Sequence, residues 1–309
     1  MDRIVFMGTP RFGQMILHAL IGHYEIEAVV TQPDRDAGRG RKAVISAVKA
    51  LALEHNLLVL QPRQLRSVEM ASQLRDLAPN MIVVAAFGRI LPAAILSLPT
   101  HGSLNVHASL LPRHRGAAPI PAAILAGDEQ TGVTIMLMDE GLDTGPILSQ
   151  AALEIQPEDT TASLTEKLGR LGGQLLLDTM PRWLASEVTP QKQDDSQATY
   201  AHTLRKEDGH IAWTEPAEQI ARRCRAFQPW PGVFTSWQGK RLKVLTARPL
   251  AVDLPGEELG RVVQFDSHTA VVTGQGLLVL EELQLAGKRP SFAEAFVRGQ
   301  RGFVGSLLE

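Results

Sequence analysis

The sequence predicts an α/β chain of two parts: a mostly parallel sheet flanked by helices, then a smaller all-β barrel domain. Three observations carry this. In the first half, short apolar runs alternate with stretches of helical period, the pattern of βαβ units. In the last third, five short β-rich segments (233–237, 241–248, 259–265, 269–273 and 277–285) lie between Gly and Pro turns. Between them, residues 187–204 are polar, hold no apolar period and read as a linker, leaving domains at 1–186 and 205–309.

Residues 3–7 (RIVFM) form the first strand and lead through Gly8-Thr9-Pro10 into a helix ending near Ile21. Residues 26–31 give the next strand, a helix covers 43–55, and Leu57–Leu60 is a short strand. The run 80–86 (NMIVVAA) is apolar throughout, as a central strand covered on both faces must be. Strands at 102–107 and 132–138 follow, then a helix whose Leu164, Leu168, Leu171 and Leu175 share one stripe. The first domain is therefore Rossmann-like, and the strand spacing of the second suits an oligonucleotide-binding (OB-like) barrel. Between them, a helix over 215–227 puts Ile220, Cys224 and Phe227 on one face, with Thr214 as its N-cap.

A hydrophobic content of 44% with 21% charged residues marks an ordinary globular chain, and one cysteine excludes an internal disulfide framework. The net charge of −2 hides a small asymmetry: residues 205–309 hold 14 Lys+Arg against 12 Asp+Glu, and residues 1–204 hold 17 against 21. No apolar run approaches a bilayer span and the start does not resemble a signal peptide, so a cytoplasmic protein is expected.

Ser103-Leu104-Asn105-Val106-His107 carries the chemistry. Side chains alternate on a strand, so Ser103, Asn105 and His107 share one face. An amide and an imidazole on an inner strand cost about 1–3 kcal/mol each unless satisfied. Such groups belong where α/β sheets bind ligands, at the carboxyl ends of the strands. The strand at 132–138 then delivers an acidic loop, Asp139-Glu140-Gly141-Leu142-Asp143-Thr144-Gly145, in which an Asx-turn is the ordinary use of Asp143. Amide, imidazole and carboxylate together suit acyl transfer: an oxyanion donor, an acid/base and an orienting group.

The run Asn105-Val106-His107-Ala108-Ser109-Leu110-Leu111-Pro112-Arg113-His114-Arg115-Gly116-Ala117-Ala118-Pro119, with Asp143 in GLDTG, resembles the signature of folate-dependent formyltransferases and of the hydrolases that share their site. The resemblance implies that Asn105, His107 and Asp143 are catalytic and that 10-formyltetrahydrofolate is the formyl donor, with no metal. It implies folate contacts from Ser109, Leu110, Leu111 and Pro112, and a pterin pocket lined by Phe87, Gly88, Ile90 and Leu91. It also implies that Trp230, in the helix-to-barrel junction, is a packing residue. Phe87 stands where many relatives carry Tyr, His114 where a larger aromatic is common, and Pro121 where Gln is more familiar.

The acceptor is read from Thr31-Gln32-Pro33-Asp34-Arg35-Asp36-Ala37-Gly38-Arg39-Gly40-Arg41-Lys42. By composition this is a solvated charged loop able to approach phosphates. It resembles the basic insertion of the family's branch that formylates methionyl initiator tRNA, which implies that Arg35, Arg39, Arg41 and Lys42 meet the acceptor end. A monomer is expected. A sugar-nucleotide formyltransferase, a formate-releasing hydrolase and an RNA-binding protein with a vestigial site are the rival readings.

Overall fold

The computed structural model describes residues 2–37 and 42–309, which divide into two compact units. The chain opens with β1 (Arg3–Gly8), α1 (Arg11–Leu20), β2 (Glu25–Val30), β3 (Arg35–Ala37), β4 (Lys42–Val44), α2 (Ala47–Glu54), β5 (Val59–Leu60), α3 (Val68–Asp76) and β6 (Met81–Ala85). It continues through α4 (Ala93–Leu96), β7 (Ser103–His107), β8 (Arg115–Gly116), α5 (Pro119–Ala126), β9 (Gln130–Leu137), β10 (Ile147–Glu154), α6 (Thr161–Leu184) and β11 (Tyr200–Ala201).

The main sheet of the first unit has the order β10-β9-β7-β6-β1-β2-β5. Its β5, β2, β1, β6 and β7 are parallel; β9 is antiparallel to β7, and β10 to β9. The chain moves outward from β1 to β2 and β5, then returns to β6 on the other side of β1, which creates the strand-order reversal where α/β sheets open a crevice. β6 is buried at every position, as its apolar run requires. One face packs Val5, Met7, Ile82 and Val84 against Met70, Leu74, Phe87 and Ile95. On the other, α6 approaches so closely that a Cβ at Gly172 would stand 3.2 Å from side-chain carbons of Ile16, Val106 and Val133. This contact turns the buried stripe of α6: Leu164, Leu168, Gly172 and Leu176 are buried, while the expected Leu171 and Leu175 are half-buried.

Three local expectations change. The helix expected over 43–55 starts at Ala47, because Lys42–Val44 pairs antiparallel with Arg35–Ala37 and Ser46 caps the helix by accepting from Lys49 N at 3.1 Å. β10 was not expected; its sequence ILSQAALE has a single β-branched residue, and its half-exposed pattern is that of an edge strand. Residues 191–201, expected within a linker, are woven into the first unit: Gln191 exchanges two 2.8 Å backbone hydrogen bonds with Ile147, and β11 pairs with β8. A polar segment can be fixed by its backbone, and hydrophobic period does not register that.

The second unit holds α7 (Ala217–Ala226), β12 (Val233–Trp237), β13 (Lys240–Leu250), β14 (Val262–Phe265), β15 (His268–Val272), β16 (Leu277–Leu285), β17 (Ser291–Phe292) and α8 (Ala293–Gly299). Its antiparallel sheet has the order β12-β13-β16-β15-β14, with β17 beside β16. Edge strands β12 and β14 do not pair with each other. The last residues bond to both edges: Leu308 N to Gly260 O at 2.9 Å, and Ser236 and Glu309 to each other at 2.8 and 3.0 Å. Trp237, Phe296 and Phe303 meet edge-to-face beneath them. α7 buries Ile220 and Cys224 as expected, but it starts after Pro216, which displaces Thr214 as the cap. Two of its three arginines are ion-paired, Arg222 with Glu218 and Arg223 with Glu215, so they form a weaker free basic cluster than their count suggests. Trp230 is 56% exposed, so the expected packing role is not met.

Among the described residues no helix is long and apolar enough to cross a membrane.

Candidate active site

Asn105 and His107 lie two residues apart on β7, on the same face, while Leu104 and Val106 enter the core on the other. After His107 the chain turns through Ala108–Arg113 and comes back beside the strand. There the His114 carbonyl lies 2.9 Å from His107 Nε2. A carbonyl can only accept, so Nε2 carries the proton and Nδ1 is the free ring nitrogen.

Asp143 comes from the β9–β10 hairpin, anchored by Met138 N on Ser103 O at 2.8 Å at the amino end of β7. The Asn105 amide donates to Asp143 Oδ1 at 3.1 Å, and Gly116 N donates to Oδ2 at 2.8 Å. His107 Nδ1 stands 3.6 Å from Oδ2, with both side chains largely buried. The three groups therefore meet over the carboxyl-terminal half of β7, which ends at His107. The Asx-turn foreseen for Asp143 belongs to Asp139, whose Oδ1 accepts from Gly141 N at 3.0 Å and Thr144 Oγ1 at 2.7 Å. That turn leaves the Asp143 carboxylate free to cross to β7. Asp143 and His114 have φ of 54° and 57°, a left-handed backbone that costs a non-glycine residue about 1 kcal/mol or more.

The turn after β7 is latched from below. Ser109 Oγ donates to Arg113 O at 2.6 Å, Thr134 Oγ1 donates to Ser109 O at 2.7 Å, and Gln150 Nε2 donates to Leu111 O at 2.9 Å. The side chains of Ser109 and Leu111 are buried, while Leu110 and Pro112 are partly open. In the second loop the rings and chains of Phe87 and Leu91 pack inside the protein, Gly88 takes φ 74°, and Ile90 is 72% exposed. The expected folate set thus divides into an accessible group (Gly88, Ile90, Leu110, Pro112) and a supporting group (Phe87, Leu91, Ser109, Leu111).

Of the basic loop, Arg39 and Arg41 lie outside the described residues, and Arg35 and Lys42 fall on the paired backbones of β3 and β4. The base of that hairpin is tied down. Lys49 Nζ reaches Asp34 at 2.6 Å and Gln61 at 2.7 Å, and Thr31 and Ser46 share a hydroxyl hydrogen bond of 2.8 Å. Hydrogen bonds from Lys49 and Gln61 hold the Asp34 carboxyl below its usual range. Gln32 Nε2 donates to Phe87 O at 2.8 Å, which links the hairpin base to the second loop.

Sequence reasoning missed Arg115 and Gln193. Arg115, 2% exposed, donates to Gln193 Oε1 and Asp195 Oδ1, and Gln193 donates in turn to the Asp143 and Gly145 carbonyls. No spacing announces this pairing, because the partners are 78 residues apart.

An amide, an imidazole and a carboxylate joined on a Rossmann-like sheet suit acyl transfer, and the chain belongs to the formyl transferase family. Residues 2–180 match the Formyl transferase model, and residues 203–301 match the model of its C-terminal domain. Proteins named methionyl-tRNA formyltransferase from Dehalococcoides mccartyi and Myxococcus xanthus are 48% and 47% identical, each alignment covering 97% or more of both chains. One of the same name from Chloroflexus aggregans is 46% identical over 96% of this chain and 97% of its own. Among solved structures, the fold resembles an N-formyltransferase from Helicobacter canadensis in complex with folinic acid and dTDP-3-aminofucose (TM-score 0.65, 19% identity, 91% and 98% of the two chains). It also resembles HypX from Aquifex aeolicus in complex with tetrahydrofolic acid (TM-score 0.65, 16% identity, 98% and 48%).

Proposed function

We propose that this enzyme transfers the formyl group of 10-formyltetrahydrofolate to the α-amino group of methionyl initiator tRNA. The observation that carries the chemistry is the junction of Asn105, His107 and Asp143, made by the 3.1 Å and 3.6 Å contacts. Full-length relatives at 46–48% identity, all named methionyl-tRNA formyltransferase, support the acceptor.

The donor fits the chain's own groups. Accessible Ile90, Leu110 and Pro112 offer apolar surface to a flat heterocycle, and the Asn105 amide keeps one N–H beyond the one given to Asp143. Bound 10-formyltetrahydrofolate supplies an activated formyl carbon on N10. Asn105 points its remaining N–H at the oxygen that gains charge when the amine adds. His107 exchanges protons at Nδ1, since Nε2 is committed to His114 O, and gives one to N10 as the bond from N10 to the formyl carbon breaks. Asp143 is the counter-charge for the protonated ring and helps accept the proton lost by the amine. Arg35, Arg39, Arg41 and Lys42 engage phosphates of the acceptor end, where a charged arm gives affinity without requiring a particular base. Residues 205–309, with 14 basic to 12 acidic side chains, add support outside the acceptor. We place the enzyme as a monomer in the cytoplasm.

The test is formyl transfer from 10-formyltetrahydrofolate to methionylated initiator tRNA, with a nucleotide-linked amino sugar as competing acceptor. Transfer to the tRNA alone supports the reading. Transfer to the sugar alone keeps the site and removes the acceptor.

A further inference from the structure

We infer that Gln193 is a positioning residue for the Asp143 loop and that the segment 191–201 acts as a strap holding the catalytic groups in register. The inference rests on the reading of Asp143 given above. Gln193 is 5% exposed and every polar position on its amide is used. Nε2 donates to Asp143 O at 2.9 Å and to Gly145 O at 2.7 Å; Oε1 accepts from Arg115 Nε at 3.0 Å and Nη2 at 2.8 Å. Only a side chain with donors at one face and an acceptor at the other can satisfy two carbonyls and a guanidinium together.

The strap grips both halves of the site. Gln191 pairs with Ile147 where the Asp143 hairpin enters β10. Thr199 Oγ1 accepts from His114 N at 2.8 Å, and Thr199 O accepts from Arg115 N at 2.9 Å. Ala201 O accepts from Ala117 N at 2.9 Å. These bonds fix the 114–117 backbone, which supplies the carbonyl on His107 Nε2 and the Gly116 N–H on Asp143 Oδ2. Gln193 holds the carbonyl of Asp143, and Gly116 and Asn105 hold its carboxylate. A left-handed aspartate is thus pinned at both ends, which sets the distance from its carboxylate to His107 Nδ1.

The experiment compares Gln193→Glu, Asp143→Asn and the double variant in steady-state formyl transfer to methionylated initiator tRNA. It adds amide hydrogen exchange over residues 112–118. Gln193→Glu keeps the acceptor for Arg115 but sets a carboxylate against two carbonyls. We expect kcat to fall about tenfold or more while both KM values stay within about threefold. The limbs of the kcat–pH profile should shift, a change that lost stability alone does not produce. In the Asp143→Asn background the same substitution should cost less than about twofold, because both act through one group. Faster exchange at 112–118 should accompany the kinetic loss. A folded Gln193→Glu enzyme with normal kcat and unchanged exchange overturns the strap, as do losses that multiply in the double variant. If Gln193→Glu does not fold, Gln193→Asn, neutral and one methylene too short, takes its place with the same criteria. Near-normal turnover in Asp143→Asn instead overturns the catalytic reading, and the exchange data then judge the strap separately.

Discussion

His107 Nε2 donates to the carbonyl of His114 at 2.9 Å, and this contact decides which ring nitrogen is left open to proton exchange. A nitrogen tied to a carbonyl cannot release its proton without leaving two acceptors face to face, so exchange falls to Nδ1. His107→Asn, with an amide and no titratable nitrogen, should lower kcat about 10²–10⁴-fold. Rapid-quench single-turnover rates check this; loss below about tenfold removes the acid/base role.

Asn105→Ala should reduce kcat about 10²–10³-fold with little change in folate affinity, since the donor acts mainly on charge that develops during reaction. Folate binding by fluorescence, measured beside turnover, separates the two effects. A larger loss of folate affinity than of kcat would make Asn105 a binding residue.

Arg39→Ala should lower kcat/KM for tRNA about tenfold or more and flatten its salt dependence, leaving the KM for folate alone. Lys49→Met should give a smaller loss in the same direction, because it unties Asp34 and Gln61 at the hairpin base. Equal loss toward a free amine acceptor would show that neither residue serves the tRNA.

Burial pushes the Cys224 thiol up to about 12. An acid whose pKa is raised by folding stabilises the native state fully below its unfolded value, and that contribution is lost as pH rises toward 12. Thermal midpoints should fall between about pH 9 and 12, and Cys224→Ala should flatten that limb. A thiol reagent at pH 8 should label the protein only after unfolding; rapid native labelling would contradict the burial.

Phe303→Ala should destabilise the second unit by about 3–5 kcal/mol, since its ring is fully buried against Trp237 and Phe296. Tryptophan fluorescence during urea unfolding measures the shift.

The sequence by itself determined the strand–helix alternation, the shared face of Asn105 and His107, and the acidic loop after the strand at 132–138. Each depends on a local period or a contiguous motif. It did not determine where Asp143 points: the Asx-turn there was the ordinary expectation, and only the fold shows Asp139 taking it. Nor did it mark Gln193 or Arg115, because a buried polar pair bridging 78 residues has no period to read. The stripe of α6 was set by its approach to Ile16, Val106 and Val133, a packing distance and not a pattern. Residues that act through neighbours in the chain are legible in one dimension, whereas those that act through hydrogen bonds across the fold exist only once the tertiary structure has closed.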